Sequence, residues 1–137
     1  MSDKTIRVKF PGELKIDVEM KGFSIPTDQP VDEGGGGSAP SPFDLFLASI
    51  AACAGFYVLS FCRERSIPTD GLGITMTTEK ADGAKMIGKI ALDIALPPGF
   101  PEKYVPAVTR AAELCSVKAH IQKPPVFEIR AAVRDTP

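Results

Sequence analysis

The sequence has one histidine, three cysteines and almost no excess of charge, and each shortage excludes a class of protein. The histidine, His120, belongs to no cluster of histidine, cysteine and acidic residues at metal-ligand spacing, so a zinc site is not expected. Three cysteines without regular spacing do not build the disulfide framework of a small secreted protein. With 16 basic and 17 acidic residues, the chain gives no reason to expect nucleic acid or an anionic membrane as a partner.

Several familiar signatures are also missing from the chain. It contains no Gly-x-Ser-x-Gly nucleophile elbow and no Cys-x-x-Cys pair. The glycine run Gly34–Gly37 lacks the lysine and the spacing of a phosphate-binding loop, and we expect a flexible loop there. Met1–Lys9 is mixed and charged, unlike a signal peptide, which favours a cytoplasmic location. We therefore expect one soluble domain over residues 1–137, without a cofactor or a metal.

One long apolar segment, Leu45–Phe61, dominates the sequence and is predicted to be a buried helix. Ser41 is a suitable N-cap, and Asp44 three residues later completes an acidic form of the capping box. The segment is slightly shorter than the ~20 residues that a membrane span needs, and strand-like segments flank it, so a membrane helix is not expected. Apolar residues occur all round the helix, which predicts burial against a second copy of the chain in a homodimer.

Cys53 lies near the middle of this helix among small residues, which leave room for a reacting group. The alternative interpretation is a small core residue, which is the common fate of a free cysteine. Cys62 follows nine positions later, about 180° round the helix, so the two cannot pair. Cys115 lies in a second helical region, and a bond between the two helices is geometrically reasonable. A cysteine hydrolase would instead need His120 beside Cys53.

The remaining segments alternate in the manner of antiparallel strands. Three strands precede the helix, with a turn predicted at Pro11-Gly12, and a hairpin follows it. A helical region then runs from Pro101 towards Ile121, and a last strand is predicted at residues 127–133. Hairpins rather than βαβ crossovers predict an α+β domain of antiparallel sheets around the long central helix.

Two motifs in this chain resemble those of the OsmC-like superfamily, which includes the organic hydroperoxide resistance proteins. The first is Ser41–Cys53 (SPFDLFLASIAAC), and the second is Leu114–Ile121 (LCSVKAHI), followed by Pro124–Ile129 (PPVFEI). The glycine-rich loop and the order of the elements fit as well. The resemblance covers nearly the whole chain, and it implies an intertwined α+β homodimer with the central helices at its core.

The resemblance also implies a peroxidase for organic hydroperoxides. Cys53 would become a sulfenic acid, Cys115 would resolve it to a disulfide, and an external dithiol would reduce that disulfide. In the hydroperoxide resistance proteins an arginine of the N-terminal strand holds the thiolate, and a glutamate early in the helix orients the arginine. Arg7 is the first candidate for that arginine, and Arg110 of the partner chain is the second.

This chain departs from the superfamily's pattern at two positions. Phe43 occupies the position of the glutamate, with Asp44 one step later, so Asp44 is either the orienting acid or only a helix cap. Ser116 follows the second cysteine where many members have proline. The alternative to a peroxidase is an OsmC-like protein that acts as a thiol-dependent hydrolase, binds a small ligand or lacks catalysis.

Overall fold

The computed structural model describes residues 4–134, and within that range the chain forms two antiparallel sheets and three α-helices. The elements run in the order β1 (Arg7–Gly12), β2 (Lys15–Met20), β3 (Phe23–Thr27), α1 (Pro42–Glu64), β4 (Gly73–Lys80), β5 (Ile87–Ala95), α2 (Val105–Ala112) and α3 (Ser116–Gln122). Short 3-10 turns at Val31–Glu33 and Glu102–Tyr104 precede α1 and α2. Antiparallel sheets around separate helices make this an α+β fold, as the sequence predicts.

The chain divides into two compact units, Met1–Ala51 and Ala52–Pro137, and the boundary falls inside α1. The first unit contains the sheet β1–β2–β3 and the first half of α1. The second unit contains the rest of α1, the β4–β5 hairpin, α2 and α3. One helix therefore belongs to both units. A single domain over residues 1–137 stays a prediction.

The sheet of the first unit is a three-stranded antiparallel meander with β2 in the middle. Its register places Val18 opposite Val8 on one side and opposite Ile25 on the other. The turn predicted at Pro11-Gly12 is wrong by two residues, because β1 continues through Gly12 and the chain turns at Glu13. The pairing shifts between Lys9 and Gly12, and the glycine adopts a φ of 143° that other residues avoid.

The loop between β3 and α1 is organised by the carboxylate of Asp28, which is 1% exposed. This carboxylate accepts hydrogen bonds from the Gln29 N–H at 2.7 Å and from the Ser38 N–H and hydroxyl at 3.1 and 2.6 Å. The hydrogen bond from the Ser38 side chain is the main reason that the pKa of Asp28 falls to about 2. A Cβ on Gly35 would lie 2.0 Å from the Gln29 carbonyl oxygen. The expectation of a flexible loop is therefore wrong, since the loop is tightly hydrogen-bonded.

Helix α1 begins with the predicted capping box. The Ser41 N–H donates to the Asp44 carboxylate at 3.1 Å, and the Asp44 N–H donates to the Ser41 hydroxyl at 3.2 Å. At the other end, the Arg65 guanidinium donates to the Phe61 carbonyl at 3.2 Å and lies 3.6 Å from the centre of the Phe61 ring. Both helix ends thus have side-chain partners for their free backbone groups.

Helix α1 is also the one helix within residues 4–134 that is long and apolar enough to cross a membrane. Its 23 residues reach a mean hydropathy of 2.1 over an 18-residue window. The central helix of a globular protein can have the same length and composition. In the second unit, α1 contributes Val58 and Phe61 to a core that it shares with Val108 of α2.

The core of the second unit lies between α1, α2 and the β4–β5 hairpin. The hairpin pairs Gly73 with Ala95 and Met76 with Leu92 in antiparallel register. Partly buried apolar residues pack round the central cluster: Ile67, Leu72, Ile74, Ile94, Leu96, Phe100, Tyr104, Ala107, Ala111 and Ala112. This core fixes the second half of α1, and therefore the position of Cys53, within the unit.

The last predicted strand, residues 127–133, is not formed in the described chain. Residues 124–134 join neither sheet, and the apolar side chains of this segment, Val126, Phe127, Ile129 and Val133, are 81–98% exposed. A strand needs a second strand for its backbone hydrogen bonds. The segment has the alternating pattern of a strand, but within residues 4–134 no strand pairs with it.

Candidate functional site

Two of the three cysteines meet in the second unit. Cys53 lies on α1 and is half-buried, with Ala52, Ala54 and Gly55 beside it in the sequence. Cys115 is 3% exposed and precedes the first residue of α3. The Cys115 sulfur caps that helix by accepting a hydrogen bond from the Lys118 N–H at 3.5 Å. The short turn between α2 and α3 therefore brings Cys115 to Cys53.

The segment that begins at Cys115 surrounds the Cys53 sulfur with hydrogen-bond donors. The Ser116 hydroxyl lies 3.8 Å from the Cys53 sulfur, within the range of a hydrogen bond to this large atom. The Cys115 thiol and the backbone N–H groups of Ser116 and Val117 also lie close enough to influence the pKa of Cys53 as hydrogen-bond donors. These N–H groups belong to the first turn of α3 and so have no acceptor within the helix.

These donors decide the ionisation of Cys53. Burial is the largest single influence and raises the pKa of the thiol, because it disfavours the charged form. The hydrogen bonds from Val117, Cys115 and Ser116 act in the opposite direction and together outweigh burial, so the pKa of Cys53 falls below its ordinary value. Cys53 is therefore the thiol that ionises more readily.

The pKa of Cys115 moves in the opposite direction. Burial is the main reason that its pKa is raised, and the neighbouring Cys53 contributes in the same direction. A buried thiol beside a thiolate stays protonated, because two neighbouring negative charges repel each other. A thiol that ionises more readily can attack a substrate, and a second thiol beside it is placed to form a disulfide with it afterwards.

The chain matches the model of the OsmC-like protein family over residues 35–130. It belongs to the OsmC-like family. No curated protein shows significant sequence similarity to the chain.

Solved structures share the OsmC-like fold. A protein from Psychrobacter arcticus 273-4, provisionally assigned to the osmotic stress induced and detoxification response, is 25% identical with a TM-score of 0.73, over 87% of this chain and 88% of that one. An OsmC-like protein from Mycoplasma pneumoniae is 16% identical with a TM-score of 0.70, over 90% and 89%. The organic hydroperoxide resistance protein OsmC from Legionella pneumophila is 20% identical with a TM-score of 0.58, over 89% and 90%.

The other two predicted site residues of this OsmC-like chain lie in the first unit. Arg7 is exposed on β1. Asp44 is exposed in the first turn of α1, and its carboxylate accepts the Ser41 N–H, so its structural role is that of a cap. The structure brings Cys53 and Cys115 together. Contact of Arg7 or Asp44 with Cys53 stays a prediction.

His120, the one histidine, is exposed on α3 and lies 2.6 Å through its Nδ1 from the carbonyl oxygen of Ser116. In this arrangement Nδ1–H donates to the carbonyl four residues earlier in the same helix. The donors that surround the Cys53 sulfur come instead from residues 115–117. The part of the chain that the structure describes also holds no group of three histidine, cysteine or acidic residues that could bind a metal.

Sequence reasoning missed Ser116 and Val117 as members of the site. Their contacts depend on the tertiary position of α3 beside α1, which spacing along the chain does not reveal. One signal was present: a residue with an N–H and a hydroxyl stands directly after Cys115, where the resemblance leads one to expect proline. Proline has neither donor, so this difference alone indicates a changed environment for the neighbouring sulfur.

Proposed function

We propose that this OsmC-like protein is a cysteine-based peroxidase that reduces organic hydroperoxides. The observation that carries the proposal is the contact between Cys53, whose pKa is lowered, and the protonated thiol of Cys115. Membership of the OsmC-like family and the shared fold with a hydroperoxide resistance protein support a redox role.

The proposed reaction has three steps. The Cys53 thiolate attacks the terminal oxygen of the hydroperoxide and the O–O bond breaks. The alkoxide takes a proton and leaves as an alcohol, and Cys53 becomes a sulfenic acid. Cys115 then attacks the sulfenic sulfur and water leaves, which forms the disulfide. An external dithiol reduces the disulfide by exchange, so each cycle converts one hydroperoxide and one dithiol to an alcohol, water and an oxidised dithiol.

The surroundings of Cys53 favour an organic substrate over hydrogen peroxide. The neighbouring side chains on α1 are small or apolar: Ala52, Ala54, Gly55 and Phe56. Phe56 is 59% exposed, so an alkyl group can reach its ring. An alkyl hydroperoxide would gain contacts with the Phe56 ring that hydrogen peroxide cannot make.

The test is consumption of cumene hydroperoxide with dithiothreitol as the reductant. We expect wild type to turn over and Cys53→Ser to lose the activity by at least about 100-fold, since a serine hydroxyl is a poor nucleophile at neutral pH. Cys62→Ser is the matched control, because it makes the same change elsewhere on α1, and it should retain the activity. Wild type that consumes no peroxide but hydrolyses an activated ester without reductant would indicate the hydrolase instead.

The resolving role of Cys115 has its own test. Mild oxidation of wild type with one equivalent of hydroperoxide should link Cys53 to Cys115 and leave Cys62 as a free thiol. Chymotrypsin places Cys53 and Cys62 on different peptides, because it cleaves after Phe56 and Tyr57, which lie between them. Cys115→Ser should accumulate a sulfenic acid that dimedone traps. A disulfide that includes Cys62 would contradict the assignment.

The proposed peroxidase is a homodimer, and two exposed apolar regions support that proposal. The face of α1 that carries Phe56 and Leu59 exposes these side chains by 59% and 40%. The apolar residues of the unpaired segment 124–134 are also exposed. Sedimentation at micromolar concentration should give twice the 14.6 kDa chain mass. A monomer under those conditions would contradict the proposal.

A further inference from the structure

We propose that Ser116 holds the Cys53 thiolate for reaction, through its hydroxyl and its backbone N–H together. This inference rests on the proposed role of Cys53 as the nucleophile. It assigns the hydrogen-bonding of the thiolate to the residue at which this chain departs from the superfamily's pattern after Cys115.

The position of Ser116 gives it two donors towards one sulfur. Its hydroxyl oxygen lies 3.8 Å from the Cys53 sulfur. It is also the first residue of α3, so its N–H has no acceptor within the helix and is free to donate to Cys53. Within residues 4–134, Cys53 has no other hydrogen-bonding neighbour that contributes both a side-chain and a backbone donor.

The direction of both hydrogen bonds is fixed once Cys53 is ionised. A thiolate has no proton and only accepts, so the Ser116 hydroxyl must donate to it. Hydrogen bonds to a charged acceptor are stronger than those between neutral groups. The two Ser116 donors therefore stabilise the thiolate more than the thiol, and they increase the fraction of Cys53 that is ready to attack a substrate.

The first turn of α3 holds Ser116 in place. On one side, the Cys115 sulfur accepts from the Lys118 N–H at 3.5 Å, which fixes the start of the helix. On the other side, the carbonyl of Ser116 itself accepts from His120 Nδ1 at 2.6 Å. A donor that is already oriented loses little entropy when the sulfur ionises, and this makes its hydrogen bond more effective.

Proline at position 116 would remove both donors without disturbing the helix. Proline lacks the N–H and the hydroxyl, and it is well tolerated at the first position of a helix. The preceding residue, Cys115, has φ −52° and ψ 118°, which is the extended region that a following proline requires. Ser116→Pro is therefore a variant that should fold, and it separates loss of hydrogen bonds from loss of structure.

The experiment is the rate of carbamidomethylation of Cys53 by iodoacetamide from pH 5 to pH 10, resolved by mass spectrometry of the modified peptide. Ser116→Ala removes the hydroxyl, and Ser116→Pro removes both donors. At pH 7 we expect rates lower by roughly 5-fold for alanine and roughly 20-fold for proline, with the midpoint of the pH profile moving upward in the same order. Ser116→Thr retains both donors and should keep the wild-type midpoint. Ser60→Ala on α1 is the control and should change nothing.

The shape of the profile distinguishes hydrogen bonding from accessibility. If Ser116 stabilises the thiolate, the rates at high pH stay at or slightly above the wild-type value, because a thiolate of higher pKa is more nucleophilic. A variant that merely changed access to Cys53 would lower the high-pH plateau and leave the midpoint in place, which would overturn the inference. An unmoved midpoint in Ser116→Pro would overturn it as well.

Alkylation requires no peroxide, so the two proposals fail separately. If wild type consumes no hydroperoxide but the midpoint rises in Ser116→Ala, the peroxidase proposal fails and the contact between Ser116 and the thiolate stands. If wild type is a peroxidase and the midpoint does not move, only the role of Ser116 fails.

Discussion

Cys53 and Cys62 lie on the same helix, and their surroundings make them chemically different residues. Cys62 is 0% exposed, and burial raises the pKa of its thiol despite the opposing influence of the Arg65 charge. Cys53 is half-buried, and hydrogen bonds from residues 115–117 lower its pKa despite burial. The comparison teaches that burial alone does not determine a thiol's reactivity. The decisive difference is a neighbouring helix start that supplies free N–H and hydroxyl donors.

The largest effect that this comparison predicts is a difference in alkylation rate between the two thiols. At pH 7 in the native protein, Cys53 should react with iodoacetamide about 1,000-fold or more faster than Cys62, because Cys62 becomes accessible only when the structure opens. In guanidinium chloride both thiols should react at similar rates, which provides the control. Rapid native alkylation of Cys62 would show that its burial is not maintained in solution.

The second prediction concerns stability. Cys62→Ser should lower the free energy of unfolding by about 1–3 kcal/mol, because a hydroxyl replaces a sulfur at a fully buried position. Cys53→Ser should cost less than about 1 kcal/mol, because Ser116 and Val117 can hydrogen-bond to the new hydroxyl. Chemical denaturation of the two variants and wild type measures both. A larger loss for the Cys53 variant would contradict the comparison.

The third prediction is that the contribution of Cys62 to the free energy of unfolding depends on pH. Its folded-state pKa is raised, so its contribution to stability is fully present below the ordinary thiol value of 9.0 and is lost as the pH rises above that value. The difference in unfolding free energy between wild type and Cys62→Ala should therefore shrink above pH 9. The slope cannot exceed about 1.4 kcal/mol per pH unit for one proton. A difference that grows with pH would show that the folded protein favours the thiolate.

Much of the fold could be predicted from the sequence, because its signals are local. The capping residues Ser41 and Asp44 gave the start of α1, and period-2 alternation gave the hairpins. The predictions that were wrong concern features that depend on partners elsewhere in the chain. Asp28 orders the glycine-rich loop through Ser38 ten residues away, and residues 127–133 alternate without a partner strand among residues 4–134.

The candidate site was predictable only in part for the same reason. The motifs indicated Cys53 and Cys115, and the structure places them in contact. The resemblance to the superfamily predicted an arginine, first of all Arg7, as the partner of the Cys53 thiolate. The structure supplies donors from the start of a different helix, α3, through Ser116 and Val117. Proximity between two helices is a tertiary fact that spacing does not encode.

The smallest predicted effect comes from Arg7. It tests whether a positive charge lowers the pKa of Cys53 in addition to the hydrogen bonds. The resemblance implies that an arginine of the N-terminal strand holds the thiolate, and on that expectation Arg7→Ala should raise the midpoint pH of Cys53 alkylation. We expect only a few-fold loss of rate at pH 7, because the donors of residues 115–117 already favour the thiolate. Cys62, buried on the same helix, should not respond.

The control for this prediction is Lys9→Ala, which removes a positive charge from the same strand. Lys9 lies 2.8 Å from the Glu19 carboxylate, so its charge is already paired. If Arg7 contacts the thiolate, its variant should move the midpoint and the lysine variant should not. Equal small shifts in both would indicate a general charge effect along β1 and would make Arg110 of the partner chain the next arginine to replace. No shift in either variant, with the wild-type pKa still low, would leave the hydrogen bonds from α3 as the source of Cys53 activation.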